Sequence, residues 1–401
     1  MRLLLRIAVT IFVGVSALAQ SHDFALKAGD RVVFFGDSIT EQRLYTAYVQ
    51  QFVISRYPEL NVTFINSGWT GDTVDGNPCV PCAGVGALAR IERDVVAYKP
   101  TVVTLLFGMN DGLYKDFDPD VMKAFTDGLS QIVAVLKRET KARIYVMTPT
   151  VYDRDVKTSW SHTDNYNSVL DRYSEAAKEI ARREDLPVID LHTATTVALM
   201  TAKKADKSYT FFGGDGVHPA AEGHAVMAAE IVRAWGAPEG GSVVSRRVDV
   251  TNSAAPVSIE APLPWPAIKL TDKIQQADAT VASIGRMTLK LSNLPEGKYT
   301  VTVDGKSAGD FSQTQLAQGV AVSALSESAQ KESVDLSKAV RDKEDLEFMR
   351  WRTFPTRFGS LKSTAEAQAA LQKMVEEQYE VAREKAKFHK YEITLARQGN
   401  K

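Results

Sequence analysis

Val32-Val33-Phe34-Phe35-Gly36-Asp37-Ser38-Ile39-Thr40 is the stretch on which the fold turns. Four apolar, strand-prone residues run into Gly36-Asp37-Ser38, and Leu44, Tyr48 and Phe52 follow at four-residue spacing. That pattern is strand, tight turn, helix. The turn leaves Ser38 at the carboxyl end of a buried parallel strand, where open α/β sheets hold their ligands. The helix behind it directs unpaired backbone N–H groups at the same place. A serine there is placed to be a nucleophile, provided the chain supplies a base and an oxyanion site. Taken alone, Gly-Asp-Ser is more often an ordinary turn with a helix-capping serine.

Outward from this stretch, strand and helix alternate from residue 31 to about 236. The predicted strands are 32–35, 62–66, 102–107, 142–148 and 187–191. A helix over 120–138 carries Phe125, Leu129, Ile132, Val133 and Leu136 on one face. Another over 165–184 has Leu170, Tyr173, Ala177 and Ile180 in register. The last begins at Pro219, suited to a first helical turn, and carries Val226, Ile231, Val232 and Trp235. Alternation of this kind implies an α/β fold, a parallel sheet covered by helices on both faces.

With 401 residues, two or three domains are expected. A signal peptide is expected over 1–19, since Arg2 and Arg6 flank the apolar run 3–18, which ends in Ala17-Leu18-Ala19. The run after Arg6 is shorter than the ~20 residues needed to span a bilayer. The mature chain would then be secreted or periplasmic, cleaved near Ala19, with no integral membrane segment. The first globular domain is read as 24–238, bounded by the Gly/Pro/Glu run at 236–241. A β-rich accessory region over 242–330 follows, with alternating segments 287–291 and 299–303 separated by a turn and followed by Asp304-Gly305 as a hairpin signal. Residues 331–401 read as a C-terminal helical segment, with helices over 335–351 and from 364 to about 390. Leu371, Met374, Tyr379 and Val381 are the expected apolar face of the second, otherwise solvated helix. An apolar fraction of 44%, a net charge of −1 and a pI near 6.6 fit an ordinary globular protein and give no reason to expect nucleic acid as partner.

The only cysteines, Cys79 and Cys82, stand in a Gly/Pro-rich loop. They are too few for a zinc site, and they read as a local disulfide in an oxidising compartment, with free thiols as the alternative.

Three further stretches are expected near Ser38, each after a predicted strand. Asn66-Ser67-Gly68-Trp69-Thr70-Gly71-Asp72-Thr73 has two glycines whose backbone N–H groups could approach a ligand. Gly108-Met109-Asn110-Asp111 offers a side-chain amide. Asp215-Gly216-Val217-His218-Pro219 places a carboxylate beside an imidazole in one short loop. Such a carboxylate fixes the tautomer and stabilises the imidazolium, leaving the other ring nitrogen to accept a serine proton. Each stretch alone is a common turn or cap. Their order is the stronger signal.

With these four blocks the chain resembles the SGNH hydrolases, the GDSL-type esterase/lipase family, over about residues 30–236. The resemblance implies a three-layer α/β/α sandwich with about five parallel strands, flavodoxin-like in layout. It implies Ser38 as nucleophile, His218 as general base and Asp215 as its orienting carboxylate. The oxyanion hole would be the N–H of Ser38, the N–H of Gly71 and the amide of Asn110, with Gly68 only a turn glycine. No metal or organic cofactor is implied. The loop 74–86, inserted where simpler members pass directly into a helix, is expected to shape the substrate entrance. Asp37, Trp69 and Tyr114 are pocket candidates; His22, His162, His192, His224 and His389 lack motif context and read as surface or structural.

The expected activity is a serine esterase removing short acyl groups, acetyl foremost, from a carbohydrate or other small hydroxylated substrate. Broader acyl-ester or thioester hydrolysis, and a non-catalytic carbohydrate-binding protein on the same scaffold, are the alternatives. A metallophosphoesterase would need Asp-x-His before the Gly-Asp and Asn-His later, and both are missing. Oligomeric state is not legible.

Overall fold

The structure, a computed structural model, describes residues 24–76, 84–156, 163, 165–238, 241–248, 257–322 and 326–398. The expected signal peptide, His22, Cys79, Cys82 and His162 lie outside the described residues.

Strands β1 (Arg31–Gly36), β2 (Thr63–Gly68), β3 (Val102–Leu106), β4 (Arg143–Met147) and β5 (Val188–Ile189) form one parallel sheet in the order β2-β1-β3-β4-β5. Strands covered on both faces read as continuous apolar runs, and Val32, Val33, Phe34 and Phe35 are all buried. The strand order reverses beside β1, which makes its carboxyl end the switch point where open α/β sheets form a crevice. Helices α1 (Ser38–Glu41), α2 (Leu44–Arg56), α3 (Ala87–Asp94), α4 (Pro119–Glu139), α5 (Tyr166–Arg183), α6 (Leu191–Ala205) and α7 (Ala221–Ala234) complete the α/β/α sandwich. The apolar face expected on α4 is buried as read.

Helix α2 is not amphipathic: Tyr45 through Arg56 are all buried. It packs against α7 on one flank and is roofed by later parts of the chain, with Trp265 edge-on to Phe52 and donating its indole N–H to the Tyr48 carbonyl. Even its polar residues Gln50, Gln51, Ser55 and Arg56 are withdrawn from water, because the C-terminal half covers the face a sandwich helix would otherwise expose. Helix α7 starts at Ala221, not Pro219, because Pro219 is held extended in a β-bridge with Phe212.

Beyond α7 come β6 (Ser242–Arg247), β7 (Val257–Ala261), α8 (Asp272–Ala277), α9 (Ala279–Ser283), β8 (Met287–Ser292), β9 (Lys298–Val303), β10 (Lys306–Ser312), α10 (Gln313–Gln318) and β11 (Val320–Ala321). Strands β8 and β9 enter different sheets, β11-β8-β6 and β10-β9-β12-β7, while Asp304-Gly305 does turn the β9–β10 hairpin. The chain then forms an arm of α11 (Glu327–Phe348), a π-helical turn (Met349–Thr353), α12 (Phe354–Phe358) and α13 (Thr364–Lys385). It ends in β12 (His389–Arg397), which inserts between β9 and β7. The helical reading of 331–401 is therefore corrected: its last element is a strand, and Tyr391 and Ile393 are part of the β-rich core. The buried face of α13 is Leu371, Val375, Tyr379 and Ala382, whereas Met374 and Val381 are exposed.

The arm closes the β2 edge of the main sheet. Strand β2 has a neighbour only on the β1 side, so its outward backbone groups need partners. Tyr379 Oη takes the N–H of Phe64 and donates to its carbonyl, and the fully buried Lys343 ammonium donates to the same carbonyl. A cleft of about 630 Å³ lies along this junction. Tyr379→Phe strands the Phe64 N–H and is expected to cost about 1–3 kcal/mol in denaturant unfolding. An unchanged midpoint would contradict this account of the edge.

Candidate active site

The site is built at the carboxyl ends of β1, β2 and β3. Asp37 follows β1 directly and caps α1, its Oδ1 accepting the Ile39 N–H at 2.9 Å, so that Ser38 opens the helix. Strand β2 comes close behind: a Cβ on Gly68 would lie 2.1 Å from the Glu41 nitrogen, so only glycine permits this approach. Gly68 is thus a packing glycine at a strand end rather than a turn glycine. The turn proper follows, with the Asp72 N–H on the Trp69 carbonyl at 3.1 Å and Gly71 at φ 75°.

Asp215 and His218 lie in the loop between α6 and α7, and not directly after a sheet strand. The Phe212–Pro219 bridge and a 2.9 Å bond from the Gly213 N–H to the His218 carbonyl fix that loop. Asp215 Oδ1 accepts the backbone N–H groups of Val217 and His218, each at 2.9 Å. Its Oδ2 is 2.5 Å from His218 Nδ1, and His218 Nε2 is 2.7 Å from Ser38 Oγ. Carboxylate, imidazole and hydroxyl form one continuous hydrogen-bonded chain.

Burial opposes ionisation of Asp215, but the His218 hydrogen bond and the two backbone N–H groups hold its carboxyl down at about 2. Burial likewise lowers the His218 imidazole; the Asp215 hydrogen bond and charge, with Asp37 adding to them, outweigh it and raise the group above its ordinary 6.5. Burial pushes Asp37 up to about 7 against the Ile39 hydrogen bond and the nearby His218 charge.

Asn110 follows β3. Its Nδ2 donates to the Asp72 carbonyl at 2.9 Å, and its Oδ1 accepts from Tyr114 Oη at 2.7 Å. The amide is fixed in orientation, and Nδ2 carries a second hydrogen besides the one used. Asp111 joins the two loops by accepting the N–H groups of Val74 and Gly108, each at 2.8 Å.

Of the pocket candidates, Asp37 is buried and acts as a cap, while Tyr114 is buried and orients Asn110. Trp69 is enclosed between arginines and Trp351 of the arm, a packed ring rather than an open wall. His192, His224 and His389 are all buried, on Asp171, Gln42 and Glu332 respectively, so none is a surface residue. Among the described residues no group of three or more His, Cys, Asp or Glu is arranged to hold a metal ion.

Arg90 went unnoticed in the sequence. Its guanidinium donates to the Gly36 carbonyl (2.9 Å), the Ser67 carbonyl (2.9 Å) and Asp72 Oδ2 (2.6 Å), and stacks 4.5 Å over Phe35. Asp72 Oδ1 in turn accepts the N–H groups of Val85 and Gly86, each at 2.9 Å, where the 74–86 loop returns. The available signal was the helical spacing of Ala87, Ile91 and Asp94, which puts Arg90 on the buried face.

A parallel five-stranded sandwich with serine, imidazole and carboxylate joined at its switch point is the layout of an SGNH hydrolase. Residues 34–226 match the model of the GDSL-like lipase/acylhydrolase family, and this part of the chain is an SGNH/GDSL hydrolase domain, a carboxylic-ester hydrolase. It is similar to an acetylxylan esterase of Geobacillus stearothermophilus, 28% identical over 230 residues, which cover 52% of this chain and 95% of that one. A GDSL esterase/lipase of Arabidopsis thaliana is 27% identical over 147 residues, 34% of this chain and 55% of the relative. The solved structure of a gut microbial diltiazem-metabolizing enzyme, 18% identical, superposes with a TM-score of 0.72 over 93% of this chain and 98% of that one. That likeness is one of fold. It extends through the β-rich module and the arm.

An NMR titration is expected to place the His218 midpoint above 6.5. Asp215→Asn removes the charge that favours the imidazolium and should bring the midpoint down. A wild-type midpoint at or below 6.5 would contradict the electrostatic account.

Proposed function

We propose that the protein hydrolyses short-chain esters, acetyl esters foremost, on carbohydrate or other small hydroxylated substrates, through a Ser38–His218–Asp215 triad and an acyl-enzyme. The observation that carries this reading is the hydrogen-bond chain from Asp215 through His218 to the Ser38 hydroxyl. His218 Nε2 takes the Ser38 proton as Oγ attacks the carbonyl carbon. Asp215 holds Nδ1–H and stabilises the imidazolium. The oxyanion is received by the N–H groups of Ser38 and Gly71 and by the second hydrogen of Asn110 Nδ2. Tyr114 and the Asp72 carbonyl keep that amide from rotating, so little reorganisation is needed as charge develops. His218 then protonates the departing alkoxide and activates water to release the acid.

The choice of acetyl and of a carbohydrate alcohol is supported by the acetylxylan esterase relative, which matches over 95% of its own length. The basic-then-apolar start over 1–19 supports export to a secreted or periplasmic location, and polymer-derived esters are substrates met there. Among the described residues no helix is long and apolar enough to cross a membrane.

Hydrolysis of p-nitrophenyl esters from acetyl to octanoyl is the test. Activity should peak at acetyl, fall to background in Ser38→Ala, and drop ~100–1,000-fold in Asn110→Ala. Because the base must be neutral, kcat/KM should decline as pH falls through the raised His218 midpoint. Equal activity of wild type and Ser38→Ala would overturn the reading, and a maximum at octanoyl would overturn the acyl preference.

A further inference from the structure

The π-helical turn Met349–Thr353 sits against the loops of the candidate active site, although it lies more than a hundred residues beyond the family match. Its Arg352 guanidinium sits over the Trp69 ring, Cζ 3.1 Å from the centroid, and its Nε is 3.7 Å from Glu41 Oε1. Trp351 packs on the same indole with ring centroids 6.3 Å apart. The other oxygen of Glu41 accepts both the N–H and the hydroxyl of Thr70. Glu41 closes the short helix that Ser38 opens, and Trp69-Thr70 leads directly into Gly71. One turn earlier in the arm, Asp345 pairs with Arg43 at 3.2 Å, and Phe348 lies 4.3 Å beneath the Arg43 guanidinium. Arg43 is the left-handed residue, φ 59°, that breaks α1 from α2. The arm therefore grips both ends of the connection between the Ser38 turn and the Gly71 loop.

We propose that Arg352, seated by Trp351, is a positioning residue that holds the Gly71 loop in register with the Ser38 turn. This rests on the assignment of Ser38 as nucleophile and Gly71 as an oxyanion donor. Three features support it. The link joins the two segments whose mutual distance an oxyanion site depends on, and an error of about 1 Å in such a distance can cost ~100-fold in rate. A π turn is a rare backbone form that recurs at functional sites, and here it presents Trp351 and Arg352 together. A planar guanidinium satisfies both demands at once, stacking on an indole while facing a carboxylate.

The experiment compares wild type, Ser38→Ala, Arg352→Ala and Arg352→Lys on p-nitrophenyl acetate, with thermal unfolding of each. Arg352→Ala is expected to lower kcat about tenfold, within the ~100–1,000-fold ceiling for losing a whole oxyanion donor. KM should stay within about twofold, because an interaction felt only in the transition state leaves ground-state binding alone. Arg352→Lys keeps the charge without the planar guanidinium and should recover part of the rate. Glu41→Gln weakens the same link from its other end and is read in the same way should Arg352→Ala fail to fold. In combination with Arg352→Lys it should be less than additive. A folded Arg352→Ala with unchanged kcat, or with a raised KM alone, overturns the proposal. Failure of the underlying assignment shows separately, as a Ser38→Ala protein that matches wild type, and takes the proposal with it.

Discussion

Arg90 is a buried cation on which the geometry of the candidate site depends. It reaches the last carbonyl of β1, a carbonyl at the end of β2 and the carboxylate of Asp72, and both members of its ion pair are almost wholly withdrawn from water. Isolated, such a charge would be prohibitively costly to bury; here each of its faces finds an acceptor or an aromatic ring. The benefit is positional. Gly36 precedes the Asp37-Ser38 turn, and Asp72 follows Gly71, so one rigid fork spaces the serine turn from the glycine loop. Asp111 repeats the device between the glycine loop and the Asn110 loop.

The second constraint is the open edge of β2. An open parallel sheet leaves unpaired backbone groups on each edge strand, and on β2 the arm covers those of Phe64 with a tyrosine and a lysine. Covering the edge also roofs α2, which is why that helix is buried all round. The β-rich module then anchors the arm: its sheet receives β12, the last element among the described residues, so both ends of the arm are tied down. The C-terminal half is thereby continuous with the main core, to which Leu263, Trp265, Leu336 and Val340 belong.

What was legible in the sequence was what is encoded locally. Strand, turn and helix around Ser38 could be read because the apolar run, Gly36 and the four-residue spacing are contiguous. Asp215 and His218 could be paired because only two residues stand between them. A parallel sheet covered by helices followed from alternation, while its flavodoxin-like layout was implied only by the family resemblance. Contacts between distant segments were not legible. Nothing near Phe64 announces Tyr379, and nothing near Trp69 announces Arg352. Arg90 was missed because a charged residue on a helix is ordinarily a surface residue, and its burial depends on acceptors supplied by three other segments. β12 was missed because it follows a long helical pattern with only nine residues of its own. Pro219 was placed inside a helix because proline suits a first turn, whereas its bridge to Phe212 serves the loop that carries His218.

The central claim is that Ser38 carries the acyl group during turnover. Rapid acid quenching during p-nitrophenyl acetate hydrolysis, followed by peptide mass mapping, tests it most directly. The account predicts one acetyl group on the peptide containing Ser38, absent from Ser38→Ala protein. Acetylation confined to another residue, or turnover by Ser38→Ala at the wild-type rate, would contradict it.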